Sequence, residues 1–343
     1  MKTATPQPTQ PGSTGTTAML SIVQHRYGTD PTTVLAFEEV GLPTISEEQV
    51  LVRVNAASVD MGTWHCMTGM PYAMRLMGFG VRSPKAVNPG RAIAGVVESV
   101  APGVTAFKVG DEVYGSCDAA FAQFAAVDTK KLAIKPVSLS FEQAAACPIS
   151  GGTALQAIRK GDVQPGQNVL IVGASGGVGT FAVQIAKAHG ARVTGVCSTS
   201  KLDLVSGIGA DEVIDYTQDD FANREQRYDL IIDTGGSRPL IQLRRILAPQ
   251  GRLVIVGGEN GGRWFGGFVG RSLRAMALSA LFPQSLGMIA SRESTEVLDE
   301  LRDLIESENI IPAVDRSYPL RDTAAAIQHL KAGRARGKLV ITN

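Results

Sequence analysis

The chain has 343 residues, of which 44% are hydrophobic and 19% charged, and it contains 38 glycines and 17 prolines. This profile excludes a disordered chain and predicts a glycine-rich α/β protein with two domains. Because 33 basic residues balance 32 acidic ones, leaving a net charge of +1, no overall field favours nucleic acid as a partner.

The first 19 residues are rich in Thr, Pro, Gln and Gly. They lack the apolar core of a secretory signal and the arginine-rich pattern of a transit peptide, so we interpret residues 1–19 as a disordered tail. The four cysteines are scattered and form no C-x-x-C pair, which favours a reduced compartment. No apolar stretch reaches the ~18 residues of a membrane span. The sequence therefore predicts a cytoplasmic protein.

Two kinds of pattern follow the tail. Over residues 20–150, short strand-like runs alternate with Gly and Pro, which predicts a β-rich module. From residue 151 to 311, continuous apolar strands alternate with helical periods, which predicts a parallel sheet covered on both faces, that is, a doubly wound domain. We expect the short closing segment, 312–343, to complete the N-terminal module. The predicted strands are 50–55, 92–100, 112–114, 122–127, 168–172, 192–197, 212–215, 230–233, 252–256 and 338–342, and the predicted helices are 181–189, 240–247 and 322–332.

The strongest motif is a glycine turn between an apolar strand and a helix. Residues 169–172 lead into Gly173-Ala174-Ser175-Gly176-Gly177-Val178-Gly179, and a helical period follows. Glycines let the backbone approach a diphosphate, and the helix N-terminus presents free N–H groups to it. The strand, turn and helix together predict a dinucleotide site.

The charge near the second strand of this domain distinguishes the two nicotinamide dinucleotides. An NAD site needs a carboxylate about 20 residues beyond the glycines to bind the ribose 2′-hydroxyl. Here that place is taken by Ser198, followed by Thr199 and Lys201. Hydroxyl groups and an ammonium group favour a 2′-phosphate, so we predict NADPH. The alternative is that Lys201 is a solvated residue at a helix start, and the nearby Asp203 argues for it.

Several segments, taken in order, resemble the medium-chain dehydrogenase/reductase superfamily, in its zinc-free quinone oxidoreductase branch. They are Asn55-Ala-Ala-Ser-Val59, Gly95-Val-Val-Glu98, Gly110-Asp-Glu-Val-Tyr-Gly115, Phe121-Ala-Gln-Phe124, Gly152-Thr-Ala-Leu155, Ala174-Ser-Gly-Gly-Val-Gly179, Gly209-Ala-Asp211 with Asp215-Tyr216, and Arg336-Gly-Lys-Leu-Val340. The resemblance implies a GroES-like β-rich catalytic domain, a Rossmann domain, a nicotinamide in the cleft between them, and a homodimer.

The resemblance also implies where the cofactor lies. The diphosphate would lie on Gly173, Ala174, Ser175, Gly176, Gly177 and Val178, and the 2′-phosphate on Ser198, Lys201 and Tyr216. The rest of the cofactor would lie along Thr153, Gly235, Gly257, Gly258 and Lys338.

The zinc-using members of the superfamily place a Cys after the first long strand, a Gly-His-Glu before the next, and a second Cys before the Gly-Thr-Ala helix. The corresponding positions here are Asp60, Gly90-Arg91-Ala92 and the vicinity of Cys147. A catalytic zinc needs three protein ligands, and an arginine repels it, so we predict no metal. A differently built site from His65, Cys66 and Cys147 is the alternative.

Without a metal, oxidation of a simple alcohol loses its means of stabilising an alkoxide. Hydride transfer to an enone or quinone is less demanding, because hydrogen-bond donors can stabilise the resulting anion. We therefore expect a small hydrophobic carbonyl compound or quinone as substrate. The alternatives are an alcohol or aldehyde dehydrogenase and a non-catalytic NADPH-binding structural or regulatory protein.

Candidates for the proton donor are Asp60, Thr63, His65 and Tyr72, in a stretch that the resemblance places over the nicotinamide. The family usually has Asn where Asp60 stands and Asp where Thr63 stands. His65, next to Trp64, could instead be a wall residue.

An apolar and aromatic run spans 261–291. Its aromatic residues are Trp264, Phe265, Phe268 and Phe282, and its basic ones are Arg263, Arg271 and Arg274. Helix-like spacing of this kind is typical of core or interdomain packing. The alternatives are a mobile cover over a hydrophobic substrate and a surface that contacts a membrane.

Overall fold

The computed structural model describes residues 18–257, 264, 266–308 and 310–343. The strands are β1 (Ala18–Gln24), β2 (Leu35–Gly41), β3 (Gln49–Val59), β4 (Ala92–Val100), β5 (Glu112–Ser116), β6 (Phe124–Asp128), β7 (Leu132–Ile134), β8 (Asn168–Val172), β9 (Arg192–Cys197), β10 (Glu212–Asp215), β11 (Tyr228–Asp233), β12 (Leu247–Ile255), β13 (Ser285–Met288), β14 (Val314–Pro319) and β15 (Lys338–Thr342). The helices are α1 (Pro31–Val34), α2 (Met61–Thr68), α3 (Phe141–Ala145), α4 (Pro148–Gly161), α5 (Gly177–Ala188), α6 (Leu202–Gly207), α7 (Leu240–Arg245), α8 (Gly266–Leu281), α9 (Thr295–Glu308) and α10 (Thr323–Lys331).

Six parallel strands form the sheet of the second half of the chain, in the order β10-β9-β8-β11-β12-β13. Alternate residues of β8 belong to different cores: Val169 and Ile171 pack with α4, α5 and α9, whereas Leu170 and Val172 pack with α7 and α8. Both faces are therefore covered, which explains the continuous apolar strands. This confirms the predicted doubly wound Rossmann topology, in which ligands bind where the strand order reverses, between β8 and β11.

The N-terminal half forms a second, mainly antiparallel sheet in the order β14-β15-β3-β4-β5-β7, with β6 also paired to β3. The last strand, β15, pairs with β3 through Leu339 opposite Val59. The closing segment of the chain therefore extends the N-terminal sheet. Strand β3 is longer than the predicted 50–55 because β4 and β15 pair with its second half, where the small residues 56–58 carry no strong apolar signal.

Two predicted boundaries need correction. Ala18 and Met19 begin strand β1 and Met19 is buried, so the predicted tail 1–19 extends two residues too far; residues 1–17 lie outside the described residues. The predicted boundary between residues 150 and 151 falls inside α4, because the Gly-Ser-rich start of that helix continues without a break from Pro148. The domain division itself stays a prediction.

The run 261–291 folds partly as α8, and its packing is one-sided. Ser272 and Ala275 are buried, whereas Leu273, Met276 and Leu281 are each at least 64% exposed. The interpretation as packing therefore holds for one face of α8 only. Gly258, Arg263 and Phe265 lie outside the described residues, and the Phe268 side chain does too. None of the described helices is long and apolar enough to cross a bilayer.

Candidate active site

The turn between β8 and α5 is a cradle of backbone N–H groups. Gly173 has a φ of +82°, a left-handed conformation that favours glycine. A Cβ on Gly179 would lie 2.2 Å from the carbonyl oxygen of Gly173, so only glycine lets the helix approach the strand. At the helix start, Gly176 is the N-cap and supplies no side-chain cap. The free N–H groups of the first turn and the positive end of α5 are therefore available to an anion.

Lys338 brings a cation to this turn from the other sheet. Its side chain is 2% exposed, and its Nζ has no hydrogen-bond partner among the described residues. The Lys338 Cδ lies 2.8 Å from where a Cβ on Gly177 would stand. The preceding residue, Gly337, donates its N–H to the carbonyl of Ser175 at 2.9 Å. Because a buried, unpaired ammonium is costly, diphosphate oxygens would satisfy a need that the protein leaves open. The glycine turn and Lys338 therefore fit the diphosphate of a dinucleotide.

Asp60 lies across from Lys338. Since Leu339 pairs with Val59 in an antiparallel register, the next pair outward is Lys338 and Asp60. The Oδ1 of Asp60 caps α2 by accepting the Thr63 N–H at 3.0 Å, whereas its Oδ2 is buried with no hydrogen-bond partner in the part of the chain that the structure describes. The pKa of Lys338 is lowered, because the effect of burial outweighs the opposing effect of the Asp60 carboxylate. Two opposite charges thus lie on adjacent strand ends beneath the cleft, without a direct hydrogen bond or ion pair between them among the described residues.

An arginine completes this charged group. A Cβ on Gly62 would lie 2.8 Å from Oδ1 of Asp60 and 2.9 Å from Nη1 of Arg91, so the carboxylate and the guanidinium flank the same point. Arg91 also forms an ion pair with Glu293. Burial lowers the pKa of Arg91, but the carboxylates of Glu293 and Asp60 outweigh it and raise that pKa. We name Asp60, Arg91 and Glu293 the charged triad.

The other predicted cofactor residues lie along the carboxyl ends of adjacent strands. Gly235 follows β11 and Gly257 follows β12, on the same edge of the sheet as the glycine turn. A Cβ on Gly257 would lie 2.3 Å from the carbonyl oxygen of Thr234, so that position also requires glycine. Thr153 is half-buried on α4. Gly258 lies outside the described residues.

The predicted 2′-phosphate end lies beyond β9 and β10. Ser198 is half-buried and Tyr216 is 54% exposed. The ammonium of Lys201 donates to the carbonyl oxygens of Gly333 at 2.8 Å and Ala335 at 2.7 Å. Burial lowers the pKa of Lys201. Lys201 is therefore neither a solvated residue nor an unengaged cation, and a phosphate would have to share it with these carbonyl groups.

The sequence reasoning missed Arg336 at this turn. Its guanidinium donates to the carbonyl of Ser200 at 2.7 Å and to the carboxylate of Asp203 at 2.5 Å. Arg336 lies 136 positions from Ser200 in the chain, so no local pattern connects them. The available signal was the Arg-Gly-Lys sequence, in which only the lysine was assigned to the cofactor. Arg336 and Lys201 together place two cations beside Ser198.

Of the four proton-donor candidates, three make contacts within the fold, and Asp60 is one of them as the N-cap of α2. Thr63 is fully buried, and its hydroxyl accepts the Asp60 N–H at 3.5 Å in the capping box of α2, which is a structural role. His65 Nδ1 is bonded to the carbonyl oxygen of Met70 at 2.7 Å. Tyr72 is different: its ring meets the edge of Trp264 at 5.6 Å, and its hydroxyl has no hydrogen-bond partner among the described residues. Within the described residues, the Tyr72 hydroxyl is therefore available to donate to a substrate.

Comparison with known proteins agrees with this geometry. The family profile "Alcohol dehydrogenase GroES-like domain" matches residues 46–154, and "Zinc-binding dehydrogenase" matches residues 208–341. The tomato (Solanum lycopersicum) protein "2-methylene-furan-3-one reductase" is 31% identical over 317 residues, which cover 88% of this chain and 74% of the tomato protein. The chain belongs to the medium-chain dehydrogenase/reductase superfamily, in its quinone oxidoreductase-like branch. This medium-chain dehydrogenase/reductase is accordingly an oxidoreductase, and its relatives are named for nicotinamide cofactors.

Two further relatives support the same assignment. "NADPH-dependent alkenal/one oxidoreductase, chloroplastic" from Arabidopsis thaliana is 30% identical and covers 88% of this chain and 73% of its own length. The solved quinone oxidoreductase of Coxiella burnetii superposes with a TM-score of 0.83 at 26% identity, covering 95% of this chain and 99% of that one. The superfamily match confirms the GroES-like and Rossmann architecture.

In this medium-chain dehydrogenase/reductase, no three His, Cys, Asp or Glu side chains of the described residues are grouped so that they could hold a metal ion. The alternative ligands are therefore not brought together as a site. Burial raises the pKa of Cys66 to about 11, so its thiol is protonated at neutral pH. The Sγ of Cys147 is buried and donates to the carbonyl of Gln143 at 3.2 Å.

Gly176→Ala tests the cradle. A Cβ at Gly176 would meet only the carbonyl oxygen of Gly173, at an ordinary 3.4 Å, so the cofactor-free protein should keep its melting temperature. The added methyl would project into the space of the diphosphate, and we expect the calorimetric Kd of the dinucleotide to rise at least tenfold, about 1.4 kcal/mol. The matched control is Gly207→Ala, at an exposed helix end with open space around it. Equal affinity in both variants would rule out the cradle.

Lys338→Met should have opposite effects on stability and binding. Removing a buried, unpaired charge should stabilise the cofactor-free protein by about 1–2 kcal/mol in urea unfolding. Losing a charge-assisted hydrogen bond should weaken dinucleotide binding roughly 10- to 100-fold. Because burial lowers the folded pKa of Lys338, wild-type stability should rise with pH as the pH passes that folded pKa towards the ordinary lysine value. The stability advantage of the Met variant should therefore shrink at alkaline pH. A variant that is less stable at neutral pH would contradict the unpaired charge.

Proposed function

We propose that the protein is an NADPH-dependent reductase that transfers hydride to a quinone or an activated alkene without a metal. The observation that carries this proposal is the charged triad. Its arginine stands where the zinc-using members of the superfamily have a ligand, and the ion pair of Arg91 with Glu293 keeps that guanidinium in place. Arginine stays protonated at all accessible pH values and repels a metal cation. The names of the tomato and Arabidopsis relatives, a furanone reductase and an alkenal/one oxidoreductase, support this substrate class.

The preference for NADPH rests on two cations at the turn after β9. Lys201 and Arg336 both reach this turn, and no carboxylate occupies the position of Ser198. A 2′-phosphate would compete with the Asp203 carboxylate for the Arg336 guanidinium. The phosphate has more acceptor oxygens than the carboxylate, so it can replace that contact. The 2′-hydroxyl of NADH is uncharged and cannot form an ion pair with these two cations.

The chain's own residues would then stabilise the charge that develops on the substrate. NADPH supplies the hydride when bound, and the electron pair ends on the oxygen of the carbonyl group or quinone. The hydroxyl of Tyr72 has no competing partner among the described residues, so it can donate to that oxygen and deliver a proton. Trp264 packs against the Tyr72 ring, and the Arg75 guanidinium lies 4.7 Å from the ring centroid, so both fix its orientation.

The substrate, the assembly and the cellular location are further parts of this proposal. We propose a small hydrophobic carbonyl compound or quinone as substrate, a homodimer as the assembly, and a cytoplasmic location. The Arabidopsis relative is named as chloroplastic, so the location follows from the sequence argument alone.

A panel of quinones, enones and simple alcohols tests this function. NADPH absorbance should fall with quinones or enones, a chelator should not change the rate, and simple alcohols should not be oxidised. Tyr72→Phe should lower kcat by roughly 10- to 100-fold with little change in the Kd of NADPH, because only the donated proton is lost.

Two results would contradict the proposed function. Alcohol oxidation that stops on adding a chelator would favour an alcohol or aldehyde dehydrogenase. Tight NADPH binding without oxidation across the whole panel would favour the non-catalytic binding protein.

Arg336→Ala tests the cofactor preference. Losing one charge-assisted contact to the 2′-phosphate should raise the Kd of NADPH about tenfold and leave the Kd of NADH unchanged, as measured by calorimetry. The matched control is Arg334→Ala, two positions away and exposed. A parallel loss of both affinities would mean that Arg336 only supports the turn.

A further inference from the structure

The exposed hydrophobic side chains of the described residues are concentrated in two short segments. Nine of the 17 lie in residues 76–87 and 264–281. The exposed fractions reach 76% for Leu76, 79% for Met77 and 68% for Trp264. Isolated exposed hydrophobic residues are normal, but a cluster of this size marks an interaction surface.

The two segments meet beside the candidate proton donor. The Ala73 N–H donates to the carbonyl oxygen of Trp264 at 2.9 Å, and the rings of Tyr72 and Trp264 are in edge contact. Trp264 and the start of the 75–80 segment therefore lie beside Tyr72, at the proposed mouth of the substrate cleft.

Residues 75–80 of the first segment are held in place by contacts with Tyr27 and by hydrogen bonds of Arg75. The Tyr27 hydroxyl lies 2.6 Å from the carbonyl oxygen of Phe79 and 2.8 Å from that of Gly80. Arg75 donates to the carbonyl of Gly69 at 2.9 Å and stacks over the Tyr27 ring at 4.2 Å. These contacts hold residues 75–80 from within while Leu76 and Met77 face solvent.

The two segments are basic in sequence, although Arg91 and Arg271 are paired with Glu293 and Asp233. Residues 61–97 and 260–292 contain no Asp or Glu, and each stretch contains four Lys or Arg residues. Arg82, Lys85 and Arg274 are exposed and form no ion pair with any residue that the structure describes. For a chain with nearly equal numbers of acids and bases, two long acid-free stretches that touch each other produce a local basic field.

We propose that this rim surface, formed by Leu76, Met77, Val81, Arg82, Lys85 and Trp264, docks onto a bilayer that contains anionic lipid. The apolar side chains would enter the headgroup boundary, and the cations would pair with lipid phosphates. A second copy of the chain fits less well, because apposing two rim surfaces would bring their unpaired cations together. Docking in this way turns the cleft mouth towards apolar molecules dissolved in the bilayer.

Vesicle co-sedimentation of the full chain tests the docking. We expect binding to vesicles of phosphatidylcholine mixed with phosphatidylglycerol at low salt, weaker binding at high salt, and little binding to phosphatidylcholine alone. Each basic side chain near such a surface contributes about fivefold in affinity, so Arg82→Gln with Lys85→Gln should weaken binding by roughly tenfold or more. Leu76→Ser with Met77→Ser should also reduce binding.

Matched variants elsewhere on the surface provide the controls. Val109→Ser with Val137→Ser removes two exposed valines, and Lys108→Gln with Arg321→Gln removes two exposed cations without ion pairs in the described part of the chain. Both control pairs should bind vesicles like the wild type. All variants should keep the melting temperature and the turnover of a water-soluble quinone, so a failure of docking is distinguishable from a failure of the proposed function.

Three outcomes would overturn the docking proposal. One is no sedimentation with anionic vesicles at low salt, and another is equal loss of binding in rim and control variants. The third is a dimer in light scattering that Leu76→Ser with Met77→Ser converts to a monomer without vesicle binding, which would assign the surface to a second copy.

Discussion

The site depends on one contact between the two sheets, the hydrogen bond from the Gly337 N–H to the carbonyl of Ser175. Strand β15 pairs with β3 of the N-terminal sheet, yet its entry crosses the glycine turn of the parallel sheet. Gly337 has a φ of +97°, and a Cβ there would lie 2.3 Å from the carbonyl oxygen of Ala313. Only glycine allows this crossing. The crossing in turn places the ammonium of Lys338 beside the start of α5, so the anion site is shared between the two halves of the chain.

The charged triad lies at the start of α2 and joins three elements of the chain. Asp60 caps α2 with one oxygen and leaves the other buried beside two cations, Arg91 and Lys338. These cations offset part of the cost of burying the carboxylate, although each buried charge is costly by itself. Thr63 is buried at the same place, where its hydroxyl accepts the Asp60 N–H in the capping box of α2. Tyr72, in the turn that follows this helix, has a hydroxyl without a hydrogen-bond partner among the described residues.

Five strands have the predicted bounds: β4, β8, β9, β10 and β15. For β8 and β9, which are almost wholly buried, the reason is that a strand packed on both faces needs an apolar run of its own length. Strand β12 begins at Leu247, not at residue 252, because its first residues are recruited by pairing with β11 across a bulge. Pairing of this kind depends on a neighbour distant in sequence. The ends of β3 and β12 therefore could not be predicted from composition.

The sequence by itself determined the glycine turn, the doubly wound order, the absence of a carboxylate at Ser198 and the superfamily, because each is written in a contiguous stretch whose spacing the backbone geometry requires. Only the tertiary structure decided that Lys338 faces Asp60, that Arg336 reaches the turn after β9, and that Trp264 contacts Tyr72. These pairs join residues that are far apart in the chain. Their contacts depend on how the two sheets pack, and sequence spacing carries no record of that.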